Sequence, residues 1–324
     1  MPKFGNHEAC WKITRDSGVL KRIDKICVII GWLNFWVIAA NAEIFITNNG
    51  QSDGFGSQFQ GLISTVIYAD LHQKQFAYTP FRIMEHNYDR DPEFIAKKEQ
   101  LINFIGSFPI ADIANNIKKY LLMDHCLSKL FVDQNSQRCA DSAALKKIKQ
   151  VFRANKDISR YFNTKNLNIA IHIRRSNQED NRLSGTDLPD KLFLKIIQQL
   201  RVCYQTRQPL FHIYSQGKQQ DFVCFNAPDI ILHLNDTIED TFIPMVLADA
   251  LVTSPSSFSY AAALLSEGII YYLPFWHNPL PHWTTITTTN DNWSGKSNFV
   301  TAVQFNLDSK KIGLSQTAER FDLI

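Results

Sequence analysis

The chain has 324 residues, of which 45% are hydrophobic and 20% charged, with a formal net charge of +3. That length excludes a single small core and fits two domains or one large α/β unit, and the composition is that of an ordinary globular protein. So small a net charge, with basic and acidic residues interspersed, argues against a polyanion-binding surface, and nucleic acid is not an expected partner.

Six cysteines (Cys10, Cys27, Cys126, Cys139, Cys203 and Cys224) are scattered, without a Cys-x-x-Cys pair or a zinc-type Cys/His cluster. They read as mostly free, buried thiols, and no metal site is expected. Near the N-terminus Lys21, Arg22 and Lys25 precede an uncharged, largely apolar stretch over 26–42. It is at the short limit for crossing a bilayer, and Ala40-Asn-Ala42 fits a small-x-small cleavage site. A membrane anchor or signal is the preferred reading over a buried element, which Gly31 and Asn34 would suit.

After this segment Glu43 to Thr47 reads as a strand, Asn48 to Ser57 as a turn-rich loop, and Gln58 to Leu71 as a helix, the opening of a βαβ unit. Gly54 and Gly56 in that loop allow close backbone approach to a ligand near helix amides, although the spacing matches neither a dinucleotide fingerprint nor a P-loop. Apolar residues at three- and four-residue intervals predict helices over Phe94 to Ile105, Ile110 to Leu127 and Ala143 to Phe152. The polar stretch Arg153 to Lys165 then suggests a boundary, giving an N-terminal segment at 1–42 and domains at 43–160 and 161–324.

From Asn166 strands and helices alternate. Strands are predicted at Leu167 to Ile173, Leu210 to Tyr214, Ile230 to Leu234, Leu251 to Thr253 and Ile269 to Leu273. Helices are predicted at Pro189 to Tyr204, Asp240 to Ala250 and Ser257 to Leu265. This order predicts a parallel sheet covered by helices, which binds ligands beyond the carboxyl ends of its strands. Two motifs fall at such ends. Ile169-Ala-Ile-His-Ile-Arg-Arg-Ser-Asn177 delivers His172, Arg174 and Arg175, and a pair of guanidiniums suits a diphosphate. Ser254-Pro-Ser-Ser-Phe-Ser259 places hydroxyls and free amides at a strand-to-helix junction, where they can meet an anion or simply cap the helix. Asp240 and Asp249 are nearby carboxylates able to accept from a base, with helix capping an equal explanation for Asp240.

Ile171-His-Ile-Arg-Arg-Ser-Asn177 resembles the His-x-Arg-Arg motif of the fucosyltransferase superfamily that includes the α-1,2-, α-1,6- and protein O-fucosyltransferases. Ser52-Asp-Gly-Phe-Gly-Ser-Gln-Phe-Gln60 is similar to the glycine loop that opens the catalytic domain of the α-1,2 group. Phe211-His-Ile-Tyr-Ser215 resembles the strand after the arginine motif, and Ala248 to Ala262 the Asn-Ser-Ser-Phe-Ser-Trp-Trp-Ala segment. The likeness spans roughly 44–274. It implies a GT-B fold, two Rossmann-like domains with parallel sheets facing a cleft. It also implies an inverting transfer of fucose from GDP-fucose to a glycan hydroxyl, without an essential metal or other cofactor.

By that resemblance Arg174 would bind the β-phosphate and stabilise the departing GDP, supported by Arg175, while His172 would contact the nucleotide. Ser256 and Ser257 would serve the diphosphate with Phe258 packed behind, and Asp240 would meet the guanine. The chain departs from the pattern at Ser176-Asn177, Ser57 and Tyr260-Ala261, so another GDP-sugar remains open as donor. Asp53 is the first candidate for a general base, with Glu85 and His86 next. Phe275, Trp276, His277 and Trp283 are candidates for a sugar platform or for core packing. Alternative readings are a noncatalytic nucleotide- or glycan-binding protein of the same fold and, third, a nucleic-acid binder using Arg174 and Arg175. In a secretory lumen Asn235-Asp-Thr and Asn292-Trp-Ser would be glycosylation acceptors.

Overall fold

The computed structural model describes residues 44–176, 187–288 and 303–305. The anchor or signal segment at 26–42, Asn177 and Asn292 lie outside them. Among the described residues no helix is long and apolar enough to cross a membrane.

The first half is built around one helix. Strand β1 (Phe45–Asn48) leads through the glycine loop into α1 (Phe55–Leu71), which buries residues around most of its circumference. Phe55, Phe59, Leu62, Ile63, Val66 and Ile67 repeat at helical intervals, and a helix apolar on so many sides belongs inside a core. Around it lie α2 (Phe94–Ile102), the short α3 (Ile113–Asn116), β2 (Tyr120–Met123), α4 (His125–Gln134), α5 (Ser136–Asp141) and α6 (Ala143–Arg153). Strand β2 runs parallel to β1, with Phe45 opposite Tyr120, and bridges from Ile46 to Phe76 and from Tyr78 to Ile110 extend the pairing.

The continuous helix expected over 110–127 is therefore corrected. Its apolar spacing holds, but Tyr120–Met123 pair with β1, and Asp124 begins a new helix by accepting the amides of Cys126 and Leu127. Strand pairing and a cap override the local pattern.

The second half is a seven-stranded sheet. Strands β3 (Leu167–Ile173), β4 (Pro209–Ser215), β5 (Ile230–Leu234), β6 (Ala250–Val252), β7 (Ile269–Tyr272), β8 (Thr284–Thr288) and β9 (Val303–Phe305) lie in the order β5-β4-β3-β6-β7-β8-β9. All neighbours are parallel except β8 and β9. Helices α7 (Asp190–Cys203), α8 (Ile238–Leu247) and α9 (Ser257–Leu265) connect the strands. The expected α/β class with parallel sheets is thus present in both halves, the first sheet being the smaller.

Every residue of β3 is buried, and its alternation divides two cores. Ile169, Ile171 and Ile173 pack with α7, whereas Ala170 joins the core formed with α8, α9 and the first half. His172 has the parity of Ala170 and so faces the first half. That shared core contains an aromatic cluster: Phe242 of α8 lies 5.2 Å from Phe55, 5.8 Å from Phe59, 5.5 Å from Phe152 and 5.2 Å from Phe258, centroid to centroid. Lys98 of α2, itself buried, adds an ion pair to Glu239 of α8 at 2.6 Å. The two halves are joined by packing as well as by the chain. Replacing Phe242 by Ala removes the ring common to these contacts and is expected to cost about 3–5 kcal/mol, read as a lower midpoint in urea or thermal unfolding.

Candidate functional site

Strand order places the site. The chain winds outward from β3 through β4 to β5, then returns to lay β6 and β7 on the other side of β3. The connections leaving β3 and β6 therefore diverge, and a crevice opens beyond the carboxyl ends of these two strands. His172 and Arg174 come from the end of β3, and Ser254 to Ser259 from the end of β6. A hydrogen bond of 2.8 Å between Ser254 Oγ and His172 Nδ1 ties the two ends together. Burial, with the adjacent Arg174 charge a lesser cause, holds the His172 pKa down at about 3. The ring is accordingly neutral at physiological pH and sits 5.6 Å from Phe258.

The two arginines diverge in use. Arg175 donates to the Leu188 carbonyl at 2.9 Å and to the Asp190 carboxylate, and its guanidinium lies over the Phe222 ring. It anchors the start of α7 to the end of β3. The Arg174 side chain is 16% exposed and faces Asp187 at 3.6 Å. Asp187 also accepts from the Ser176 amide at 2.9 Å and from its hydroxyl at 3.0 Å. A carboxylate thus holds Ser176, the residue that stands where the resembling family has glycine.

The serine loop is built as a cap. Ser256 accepts from the Phe258 amide at 3.2 Å, and the buried Ser259 donates to the Ser254 carbonyl while receiving the Ser254 amide. Ser257 is partly exposed, and its hydroxyl has no hydrogen bond among the described residues. Against this helix start comes the glycine loop: a Cβ on Gly56 would lie 2.4 Å from Phe258 Cα and 2.6 Å from its amide nitrogen. The first turns of α1 and α9 therefore meet at a distance only glycine permits. The structure starts α1 at Phe55, not at Gln58, so Gly56 lies within its first turn.

Asp53 accepts the Gly54 amide at 2.7 Å through its side chain, and its carbonyl accepts from Gln58 Nε2 at 2.6 Å. The Glu85 amide donates to the same carbonyl, and a Cβ on Gly54 would strike the His86 ring at 2.4 Å. Asp53, Gly54, Glu85 and His86 are thus gathered in one place, with His86 in the left-handed backbone region (φ 70°). Asp240 lies in the first turn of α8, exposed, and receives the Thr237 hydroxyl at 2.8 Å while its own amide is capped by Thr237. Capping explains its present contacts. Among the aromatic candidates, Trp283 is buried against Tyr260 and Tyr272, and His277 bonds Asp133 at 2.9 Å; Trp276 is 41% exposed.

Two residues at the site were not picked out by sequence reasoning. Asp187 carries the loop contacts above; its signal was an acidic residue just before Pro189 and α7. Lys129 of α4 is buried and donates to Ser57 at 2.7 Å, in the first turn of α1. Burial lowers its pKa to about 8, opposed chiefly by the charge of Asp53. As for metal ligands, Asp124, His125 and Cys126 bring their donor atoms within 4.8 Å of one another. These are consecutive residues at a helix start, where Asp124 already caps. The described cysteines, Cys126, Cys139, Cys203 and Cys224, are free thiols.

No protein-family model matches the chain, and no curated protein matches it. Among solved structures it is similar to the NodZ alpha-1,6-fucosyltransferase of Bradyrhizobium soaked with GDP-fucose, at 12% identity over 81% of this chain and 98% of that one, with a TM-score of 0.43. It is also similar to a mutant of Arabidopsis thaliana FUT1 in complex with GDP (13% identity, 76% and 74% covered, TM-score 0.33). A third is E. coli heptosyltransferase WaaC with ADP-2-deoxy-2-fluoro heptose (11% identity, 74% and 92% covered, TM-score 0.37). Likeness at this level assigns no activity, and function has to be read from the site.

Gly56→Ala is expected to force the starts of α1 and α9 apart, read as a lower melting temperature in thermal unfolding. A second expectation concerns pH. A buried neutral histidine takes up its proton in the unfolded chain near pH 6.5 but in the native protein only near pH 3. The unfolded state then binds more protons across that window, so stability falls as pH drops from 6.5 towards 3. His172→Gln should show a shallower loss over the same range in urea titrations.

Proposed function

We propose that this chain is an inverting glycosyltransferase that moves a sugar, with fucose the leading donor, from GDP to a hydroxyl of a glycan acceptor. The observation that carries the reading is that the end of β3, which bears Arg174, is tied by His172 to the end of β6, where the serine-capped start of α9 meets the glycine-bearing start of α1. Two helix N-termini that meet beside a strand end bearing a guanidinium suit a compact dianion such as a diphosphate. The resemblance of both loops to fucosyltransferase motifs supports GDP-fucose in particular.

In this reading Arg174 neutralises charge on the diphosphate as the bond to the sugar breaks, and Ser257 and the α9 amides complete the cradle. Such preorganised charge takes the place of a metal. His172, neutral and tied to Ser254, spaces the two strand ends next to the nucleotide, and Arg175 holds the loop that presents Arg174. Asp53 takes the proton of the acceptor hydroxyl as it attacks the sugar carbon, displacing GDP from the opposite face. Asp240 reaches the guanine by releasing Thr237. We further propose the division at 43–160 and 161–324 into acceptor and donor domains, with membrane attachment through residues 26–42.

Removal of one such charge-stabilising donor costs on the order of 10²–10³-fold in turnover. Arg174→Ala should accordingly slow transfer from GDP-fucose by about 10²–10³-fold while leaving the fold intact by circular dichroism. GDP-fucose should raise the melting temperature of the wild type through native-state binding. Stabilisation by GDP with no turnover of any GDP-sugar would instead mark a noncatalytic binding protein.

A further inference from the structure

We propose that the outer edge of β2 pairs with the β2 edge of a second copy of this chain, antiparallel across a two-fold axis at Leu122. Strand β2 has β1 on one side, and the segment at Phe76 lies beyond β1, so β2 is the edge of its sheet among the described residues. Backbone direction fixes which groups are left outside. The Met123 carbonyl accepts from the Asn49 amide, so Met123, and with it Leu121, turns its N–H and C=O toward β1. Leu122, of opposite parity, turns both of its groups outward, and neither has a hydrogen-bond partner among the described residues. Tyr120 shares that parity, but its N–H is already taken by the Ile117 carbonyl. Both leucines are open to solvent, Leu121 at 51% and Leu122 at 41%, with Ile117 and Leu127 exposed on either side. An edge of unpaired amides flanked by exposed apolar side chains is a template for another strand.

The edge is complementary to itself. In an antiparallel pair, facing residues turn their backbone groups either toward each other or both away, so a register centred on Leu122 sets that residue against its own copy through two hydrogen bonds. Asp124, extended at φ −66° and ψ 134°, continues the strand, and its amide meets the outward carbonyl of Tyr120 in the second copy, twice by symmetry. Leu121 then faces Met123 of the second copy. Charge decides the direction. A parallel, in-register stack would align the exposed Lys118 and Lys119 with the same lysines, whereas the two-fold arrangement brings Lys119 one position from the exposed Asp124. Asp124 caps α4 through Oδ1 alone, so a lysine at Oδ2 leaves the cap in place. Such an isologous contact closes on itself and gives a dimer, not a fibre. A ribbon this short buries less than a standard interface, so the dimer is weak and dissociates on dilution.

The test is sedimentation of the full chain, in mild detergent on account of residues 26–42, over a series of micromolar concentrations. The wild type should pass from the mass of one chain to that of two as concentration rises. Leu122→Pro removes the Leu122 N–H and leaves the ladder to β1 intact, so it should stay monomeric with its thermal unfolding little changed. Leu122→Lys should also stay monomeric, because it sets like charges against each other at the axis. In Leu122→Cys, mild oxidation should give a disulfide-linked dimer that the wild type, with its own cysteines, does not form. That variant decides the matter should the other two fail to fold. A wild type that is monomeric throughout overturns the proposal, as does a dimer that survives in folded Leu122→Pro and Leu122→Lys, or a Leu122→Cys chain no more cross-linked than the wild type. A monomer whose Leu122 amide is protected from hydrogen exchange would overturn it as well, by showing that the chain's own residues cover the edge.

Discussion

Gly56 lies against the backbone of Phe258, and this contact sets the geometry of everything around the site. It brings together two helix starts, each with positive partial charge and neither with an acidic residue in its first turn. Left to electrostatics these ends would separate. They are kept together by apolar burial, because Phe55 and Phe258 follow directly from the two starts and pack on Phe242 at 5.2 Å each. Aromatic packing worth several kcal/mol exceeds a helix-end repulsion of about 1 kcal/mol. The core thus holds an arrangement that an anion would relieve.

The same logic separates the arginines. Arg175 is fixed by a carbonyl, a carboxylate and a ring, and it makes the start of α7 rigid relative to the end of β3. Arg174 borders that rigid joint with a looser ion pair. Asp187 holds Ser176 while standing close enough to Arg174 to offset part of its charge. A ligand phosphate competing for Arg174 would meet an oriented guanidinium, which reduces the ordering cost of binding.

Much of this was legible in the sequence because the residues concerned lie at ends of elements. The strands of the second half have β-rich runs bounded by turn residues, and β3, β5 and α9 match the predicted spans residue for residue. His172, Arg174 and the serines could be located by knowing where β3 and β6 stop. Strand β2 was hidden because Tyr-Leu-Leu-Met continues an apolar spacing that a helix also satisfies; only pairing with β1, 75 residues away in register, decides it. Lys129 was hidden for a related reason. A lysine in an amphipathic helix ordinarily faces water, and its burial against Ser57 depends on how α4 packs on α1, which local sequence does not encode.

Where the cations sit also bears on the class of ligand. A nucleic-acid binder presents lysines and arginines as an exposed stripe matched to regularly spaced phosphates. Here Arg174 is 16% exposed in its side chain and Lys129 is 7% exposed overall, both between packed elements, in a chain whose net charge is only +3. Charge held in the interior in this way suits a small anion better than a polymer. Burial strengthens the field of such a charge without extending its reach, so it acts on one nearby group more effectively than it gathers a polymer.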